Sequence, residues 1–416
     1  MWSKPVIEAV LLRRLPSSLH QLAPAIAKEL LNVLPAQYAP SAEAVAAALL
    51  HDGNFEQIRR YCLRHGIWPD PDLNSPVMAP ITAFADLDVP QMATIDALAA
   101  WLFLPVPRLD YLADIHGRHE EHGEPAVNHY HYVLQQKKTK GMRLIEAPKP
   151  MLKTVQRQIL RSIIDKIPNH VDAFGFVKGR SCLDGAARHA GESVVMCFDL
   201  RDFFPSIGSG RIFGMFRCIG YPSAVSRYLT ALCTTATPSR LLERLSFDER
   251  TYYRRPHLPQ GSPASPALAN KAAFTLDRRL AALASRLSAN YSRYADDLSF
   301  SGDQHIVGTL SIIVPQIVRE EGFFLNSAKT RIMPDVTRQV ITGIVVNKHL
   351  NTSRQSFDQL KAIIHACEKT GDMRLGDPSF RESLLGKIGW VESVNPQRGQ
   401  KLRHLLAASW AKANST

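Results

Sequence analysis

The sequence predicts an α+β fold in which a few short strands are set among helices, and three observations point there. Asn290 to Gly302 mixes aromatic, apolar and small polar residues on both sides of the pair Asp296-Asp297, a composition that suits two short strands meeting at a tight turn. Ser193 to Phe198 is an almost wholly apolar run of strand length that ends on Asp199. Towards both ends of the chain the pattern turns helical: Ala- and Leu-rich near the start, Lys- and Arg-rich in the tail.

Length and charge narrow the class. The chain has 416 residues, enough for two or three domains. An apolar share of 45% with 21% charged residues is that of a globular protein in water. No apolar run approaches the ~18 residues of a spanning helix, and Glu8, Arg13 and Arg14 near the start do not read as a secretory leader. The six cysteines lie far apart with no C-x-x-C, as expected of reduced thiols in a cytoplasmic protein without a membrane partner. The net charge of +12 is uneven: residues 1–115 carry −4 and the other 301 carry +16. A polyanion partner is therefore expected for the body of the chain only.

In order, residues 1–115 read as a small helical extension, with helical spacing at Leu19 to Ala27 and at Ser41 to Leu50, Ser41 being a plausible N-cap. Pro-rich breaks follow at residues 68–72 and 76–80. A loop-like stretch holds His116, His119, His122, His129 and His131; it suits a polar connector, with zinc ligation as the rival reading. Tyr130 to Leu134 and Met142 to Pro148 read as a hairpin with a basic tip at Lys137 to Gly141, able to close over phosphates, Arg143 offering a planar fork. Leu152 to Ile167 reads as an amphipathic helix with Gln156 and Gln158 free for polar contacts. Phe174 to Ser181 is a Gly-punctuated basic loop without Walker spacing.

The acids come next. A carboxylate at the end of a buried strand is costly unless a cation compensates it, so Asp199 is the natural third partner of Asp296 and Asp297. Adjacent carboxylates repel, and a hard divalent ion such as Mg2+ relieves that while filling its other positions with water and phosphate oxygens. Asp202 is read as a helix-start residue. Leu258 to Pro266 is a stiff small-residue loop that lets a flat ligand approach the backbone, with Gln260 able to bond a base or sugar edge, and it feeds a helix over 267–280. A helix over 306–321, a hairpin over 340–347 and a helical tail from about 350 complete the pattern.

With those segments in this order the chain resembles a reverse transcriptase. The motifs are the Arg143 hairpin, Asp199-Leu200-Arg201-Asp202-Phe203-Phe204-Pro205, Leu258-Pro259-Gln260-Gly261-Ser262-Pro263, Tyr294-Ala295-Asp296-Asp297, Lys329 and Thr342-Gly343. They cover about Tyr130 to Asn347. Within the family, Pro259 to Pro266 and Tyr294 to Ser301 look most like bacterial retron enzymes. Two elements depart from the retron pattern: Gly185-Ala186-Ala187-Arg188-His189 has Gly where Asn is usual, and Ile341-Thr342-Gly343 has Ile where Val is usual.

The resemblance implies a right-hand polymerase fold. A helical extension (1–115) would precede fingers and palm (116–349) and a small helical, nucleic-acid-binding thumb (350–416). It implies two Mg2+ ions, with Mn2+ able to substitute, held by Asp199, Asp296, Asp297 and the carbonyl of Leu200. Arg143 and Lys137 would hold the triphosphate, Gln260 and Gly261 would border the nucleotide, and Lys329 would sit near the leaving pyrophosphate. Phe204 would exclude a sugar 2′-hydroxyl, while Ile341, Thr342 and Gly343 would grip the primer end or the RNA. A retron enzyme would copy a structured non-coding RNA into single-stranded DNA from dNTPs, in anti-phage defence, with an effector protein and a host ribonuclease H as further partners. The rival readings are a defence polymerase of the same fold without such an RNA, and an RNA-binding scaffold on a dead polymerase fold.

Overall fold

The computed structural model describes residues 77–115, 128–136, 142–370 and 377–413, with a few single positions before residue 77. Of the two helices expected before residue 51, the first is described in part and is helical at residues 23–25 and 27, with Ala23 and Ala27 buried. The second, the Pro-rich break at 68–72, His116, His119, His122 and the basic tip with Lys137 lie outside the described residues.

The chain enters through two short helices, α1 (Ile95–Trp101) and α2 (Val106–Ala113). Thr94 caps the first, its side chain accepting from Ala97 N at 3.1 Å. The expected hairpin follows: β1 (Tyr130–Gln136) and β2 (Met142–Pro148) are antiparallel, with Tyr130 opposite Pro148. Helix α3 (Pro150–Ser162) is shorter than its sequence pattern, which continues as a 3-10 turn at Ile164–Lys166. Its two glutamines bond as their positions allow. Gln156, wholly buried, donates to Tyr130 Oη and to the Leu232 carbonyl, and Gln158 donates to the Trp101 carbonyl. Of the His-dense stretch, His129 Nε2 lies 2.6 Å from the Tyr111 carbonyl, while His131 sits exposed on β1.

Next come α4 (Cys182–Ala187), the central strand β3 (Val194–Asp199), α5 (Ser209–Ile219) and α6 (Ser223–Cys233). Two short helices, α7 (Ser239–Leu242) and α8 (Phe247–Tyr253), lead to α9 (Ser265–Ala272) and α10 (Phe274–Arg286). The helix expected over 267–280 is thus two helices, broken at Ala273. Asp202 does not start a helix: with φ +48° it opens a single turn closed by Ser206 N on its carbonyl, and α5 begins only at Ser209. Pro205, lacking an N–H, cannot make the preceding bond of that turn, and Ile207 N turns to the Phe204 carbonyl instead.

The acidic hairpin follows as β4 (Asn290–Tyr294) and β5 (Asp297–Gly302), then α11 (Ile306–Glu320), β6 (Arg331–Pro334) and a two-residue-per-strand hairpin, β7 (Val340–Ile341) and β8 (Ile344–Val345). Helices α12 (Arg354–Thr370), α13 (Pro378–Val394) and α14 (Pro396–Ala413) form the tail. They close a core of their own around Phe357, Leu360, Ile364, Leu384, Ile388, Leu402 and Leu406.

The four-stranded antiparallel sheet runs in the order β4-β5-β3-β6. Because side chains alternate along a strand, its two faces differ. Val194, Met196 and Phe198 of β3, with Leu298, Phe300 and Tyr291, turn into the main core beside Ile212, Leu229, Leu268 and Leu280. Leu98, Leu109 and Leu112 join the same core, so α1 and α2 are packed with the sheet and its helices. Each such fully buried side chain contributes ~1.5–3 kcal/mol. Val195 and Cys197 turn the other way, to a smaller cluster with Ala186, Ile341 and Ile344.

Candidate active site

Asp199 has the parity of Val195 and Cys197, and in the sheet register it lies directly opposite Asp297. Ser299 and Ser301 stand opposite Cys197 and Val195. One face of the sheet therefore carries the carboxylates at one end and small polar residues along its length. The sequence alternation in Ser292-Arg293-Tyr294 and Leu298-Ser299-Phe300-Ser301 is the trace of that two-sided environment.

His189 covers this polar face. It is wholly buried, with Nδ1 2.8 Å from Ser301 Oγ and Nε2 2.8 Å from Ser292 Oγ, so one imidazole ties both strands of the acidic hairpin. Burial, helped by the nearby Arg188 charge, pushes its pKa down to about 3. Gly185, in the position where retron enzymes usually have Asn, faces the Phe174 ring, where a Cβ would come within 3.2 Å of ring carbon.

The turn itself is Ala295-Asp296, with Tyr294 paired to Asp297 across it. Of the two turn residues only Ala295 has a positive φ, +57°, the pattern of a type II′ hairpin turn. A non-glycine residue there must be held by its surroundings. Arg293 does so: its Nη1 donates to the Ala295 carbonyl at 3.0 Å and to Asn270 Oδ1 at 2.9 Å. Its remaining donors form a two-point pair with Asp277, Nε to Oδ1 at 2.7 Å and Nη2 to Oδ2 at 2.6 Å. Tyr291 Oη completes Asp277 at 2.8 Å. This buried set was not anticipated from sequence. The signal for it was present, since Arg293 shares the strand face of the core residue Tyr291.

Three carboxylates thus meet at the strand end. Leu200 N donates to the Asp296 carbonyl at 2.9 Å, which locks the turn to the end of β3. Burial first, then repulsion from Asp296 and Asp199, pushes the Asp297 carboxyl up to about 6. Asp296 is likewise raised, chiefly by burial and further by Asp199, with Lys329 and Arg143 pulling the other way. Lys329, at the end of a 3-10 turn (Ser327–Lys329), places Nζ 2.9 Å from the Asp199 carboxylate. Burial opposes its charge, yet the bond and charge of Asp199, with Asp296 and Asp297, hold its pKa up.

An ammonium bound there and two carboxylates resisting ionisation both mark a site in need of positive charge. The donors are all oxygen, which suits a hard cation. Among the described residues no group of three His, Cys, Asp or Glu side chains is gathered closely enough to hold a metal ion by itself. Mg2+ does not require one, because it keeps water and phosphate oxygens among its ligands. The residues therefore fit a hard divalent cation that brings water or phosphate oxygens with it.

Around the acids, Arg143 lies exposed on β2, near enough for its charge to act on Asp296. The Gln260 carbonyl accepts from Glu146 N at 2.9 Å, and a Cβ on Gly261 would meet the Glu146 carbonyl at 2.8 Å. The small-residue loop and the Arg143 hairpin are thereby joined. Below that junction the buried Glu146 carboxylate accepts from Thr237 Oγ1 at 2.7 Å and lies 2.9 Å from His257 Nε2, a second linkage that sequence reading missed. Phe204 is partly buried between the rings of Phe203 and Phe176. Ile341 packs with Val195 and Cys197, while Thr342 (φ +47°) and Gly343 (φ +85°) form the hairpin tip. The basic loop at 174–181 offers no cradle through Arg180, whose Nη1 is bonded to the carbonyls of His170, Val171 and Ala173.

A family model described as reverse transcriptase (RNA-dependent DNA polymerase) matches residues 135–356. The retron Mx65 reverse transcriptase of Myxococcus xanthus is 38% identical over 285 residues, 66% of this chain and 64% of that protein. The retron Mx162 reverse transcriptase of the same organism is 36% identical over 330 residues, 74% of this chain and 66% of that protein. The retron Ec86 reverse transcriptase of Escherichia coli is 31% identical over 277 residues, 65% of this chain and 78% of that protein. The chain thus spans a little under two thirds of the length of the two Myxococcus relatives.

Proposed function

The chain belongs to the bacterial retron reverse transcriptases, a family with the right-hand polymerase fold, and on that premise we propose that it copies a structured non-coding RNA into single-stranded DNA. The observation that carries the proposal is the meeting of Asp199, Asp296 and Asp297 at one strand end, with Lys329 supplying positive charge beside them.

In this reading the primer hydroxyl attacks the α-phosphate of a dNTP in line. Asp199 and Asp296, with Asp297 and the Leu200 carbonyl, would hold two Mg2+ ions, or Mn2+ in their place. Such ions, when bound, lower the pKa of the attacking hydroxyl and stabilise the leaving pyrophosphate. Lys329 is placed to exchange its bond to Asp199 for the departing phosphates. Arg143, with Lys137, holds the triphosphate through a planar fork and a point charge. Gln260 and Gly261 would border the nucleotide, and Phe204 would exclude a ribose 2′-hydroxyl. Ile341, Thr342 and Gly343 present a hairpin tip to the primer end or the RNA. The protein supplies position and electrostatics; base pairing to the template supplies sequence choice.

Residues 1–115 are proposed as an extension, 116–349 as fingers and palm, and 350–416 as a thumb on nucleic acid, in keeping with the separate core of α12, α13 and α14. Further partners would be an effector protein in anti-phage defence and a host ribonuclease H that removes the template. Among the described residues no helix is long and apolar enough to cross a membrane, and a cytoplasmic site of action is proposed.

Two measurements test the reading. Asp296→Ala or Asp199→Ala should abolish primer extension with the fold retained, and extension at the parent rate would overturn the site. Sequencing the nucleic acid that copurifies with the protein expressed from its own locus should return one branched RNA–DNA species. Random or protein-primed DNA would instead indicate a defence polymerase without a dedicated RNA.

A further inference from the structure

Phe176 has no role in the site as described, yet its placement is unusual. It follows Gly175, whose backbone presses on the acidic turn so closely that a Cβ there would come within 2.4 Å of Ala295 N. Two bonds pin this loop: Asn270 Nδ2 donates to the Gly175 carbonyl at 2.8 Å, and Phe174 N donates to the Arg293 carbonyl at 2.8 Å. Phe176 itself takes φ +61°. A bulky residue seldom adopts that conformation, and strained backbone of this kind gathers at functional sites.

The strain is not repaid by burial, since Phe176 is 47% exposed. What the conformation achieves is ring placement. The Phe176 ring lies 6.0 Å from that of Phe204, inclined at 48°, and Phe203 flanks Phe204 at 5.6 Å and 52°. Phe204 is therefore bracketed by one ring from the main core and one ring from the loop that abuts Ala295.

We propose that Phe176 is a positioning residue for sugar selection, its ring holding Phe204 in the orientation that excludes a 2′-hydroxyl and so favouring deoxyribonucleoside over ribonucleoside triphosphates. The inference rests on the reading of Phe204 as the sugar gate. A gate ring rejects a single hydroxyl only if it cannot retreat, and a retreat of about 1 Å already defeats a positioned site. Phe203 closes one direction, and without Phe176 the ring can swing towards solvent.

The experiment compares kcat/KM for a dNTP and the matching rNTP on one primer–template for the parent, Phe176→Ala, Phe176→Tyr, Phe204→Ala and the Phe176→Ala/Phe204→Ala double variant. Phe176→Ala should lower the dNTP/rNTP ratio several-fold, up to about tenfold, the scale of one aromatic pair. Phe176→Tyr, which keeps the ring, should restore the parent ratio. The double variant should fall no lower than Phe204→Ala, because the two rings act as one unit. A parent ratio in Phe176→Ala alongside a lowered one in Phe204→Ala overturns this inference and leaves the gate standing. Additive losses, or a loss in Phe176→Ala alone, overturn the route through Phe204. Parent ratios in both single variants overturn the gate reading as well. Should Phe176→Ala fail to fold, Phe176→Leu carries the test, a lowered ratio supporting the inference and a parent ratio overturning it.

Discussion

Replacing Arg293 by Met tests whether the acidic turn at Ala295-Asp296 is held from beneath. Arg293 and Asp277 are both wholly buried and joined at two points, 2.7 and 2.6 Å. Met keeps most of the volume but leaves the Asp277 carboxylate with only Tyr291 Oη among the bonds described, and it strips the Ala295 carbonyl and Asn270 Oδ1 of their donor. Breaking a buried pair from one side costs about 3–5 kcal/mol. An orphaned buried acceptor adds roughly 1–3 kcal/mol, so Arg293→Met should lose roughly 4–8 kcal/mol, a large part of a typical stability of ~5–15 kcal/mol. Guanidinium unfolding followed by circular dichroism measures it. Arg293→Met/Asp277→Leu should recover most of that loss, because no charge is then stranded. Primer extension by the double variant should nevertheless stay low, since Ala295 is still released from its tether. A single variant within about 1 kcal/mol of the parent would refute the reasoning, as would a double variant no more stable than the single.

Three further outcomes are expected. Asp297, raised to about 6 in the folded chain against ~3.9 unfolded, binds more protons when folded between those values, so its contribution to stability falls as pH rises through that window and stays low above it. In EDTA, Asp297→Asn should therefore melt above the parent at pH 7.5, by the order of 3 kcal/mol, and match it near pH 4; Mg2+ should narrow the gap at pH 7.5, and a gap independent of pH would count against this reading. His189, lowered to about 3 in the fold against ~6.5 unfolded, binds fewer protons when folded, so stability is complete above about pH 6.5 and is lost as pH falls towards 3, by the order of 4–5 kcal/mol; His189→Asn should flatten that slope relative to the parent in parallel acid titrations. Gly175→Ala would set a Cβ 2.4 Å from Ala295 N, so the turn must move, and primer extension should fall at least tenfold in kcat while the protein still shows a cooperative melt; parent-level kcat would show that the turn tolerates displacement.

Much of the fold was legible residue by residue. The run ending at Asp199, the acidic hairpin, the Arg143 hairpin and the helix from Ile306 each appear where the pattern put them, because each has a strong periodicity or a distinctive turn. The departures have local causes. The helix expected through Leu280 breaks at Ala273, where φ and ψ of −88° and 2° leave the helical range and no Gly or Pro announces the stop. Asp favours a helix start, which is what the sequence suggests for Asp202, whereas the folded chain holds it in a left-handed turn ahead of Pro205.

Within the chain, strand alternation marked the run ending at Asp199 and the hairpin at Asp296 and Asp297, since those patterns reside in neighbouring residues, and the order of the motifs carried the resemblance to the family. What waited for the folded molecule were the buried polar and aromatic contacts between segments remote in sequence. His189 bridging Ser292 and Ser301, Arg293 clamping Ala295 to Asp277, Glu146 meeting Thr237 and His257, and Phe176 bracing Phe204 all join separate segments. A buried polar group gives no local sign of which distant partner satisfies it, because the requirement is imposed by loss of water and is met wherever packing brings a complementary atom.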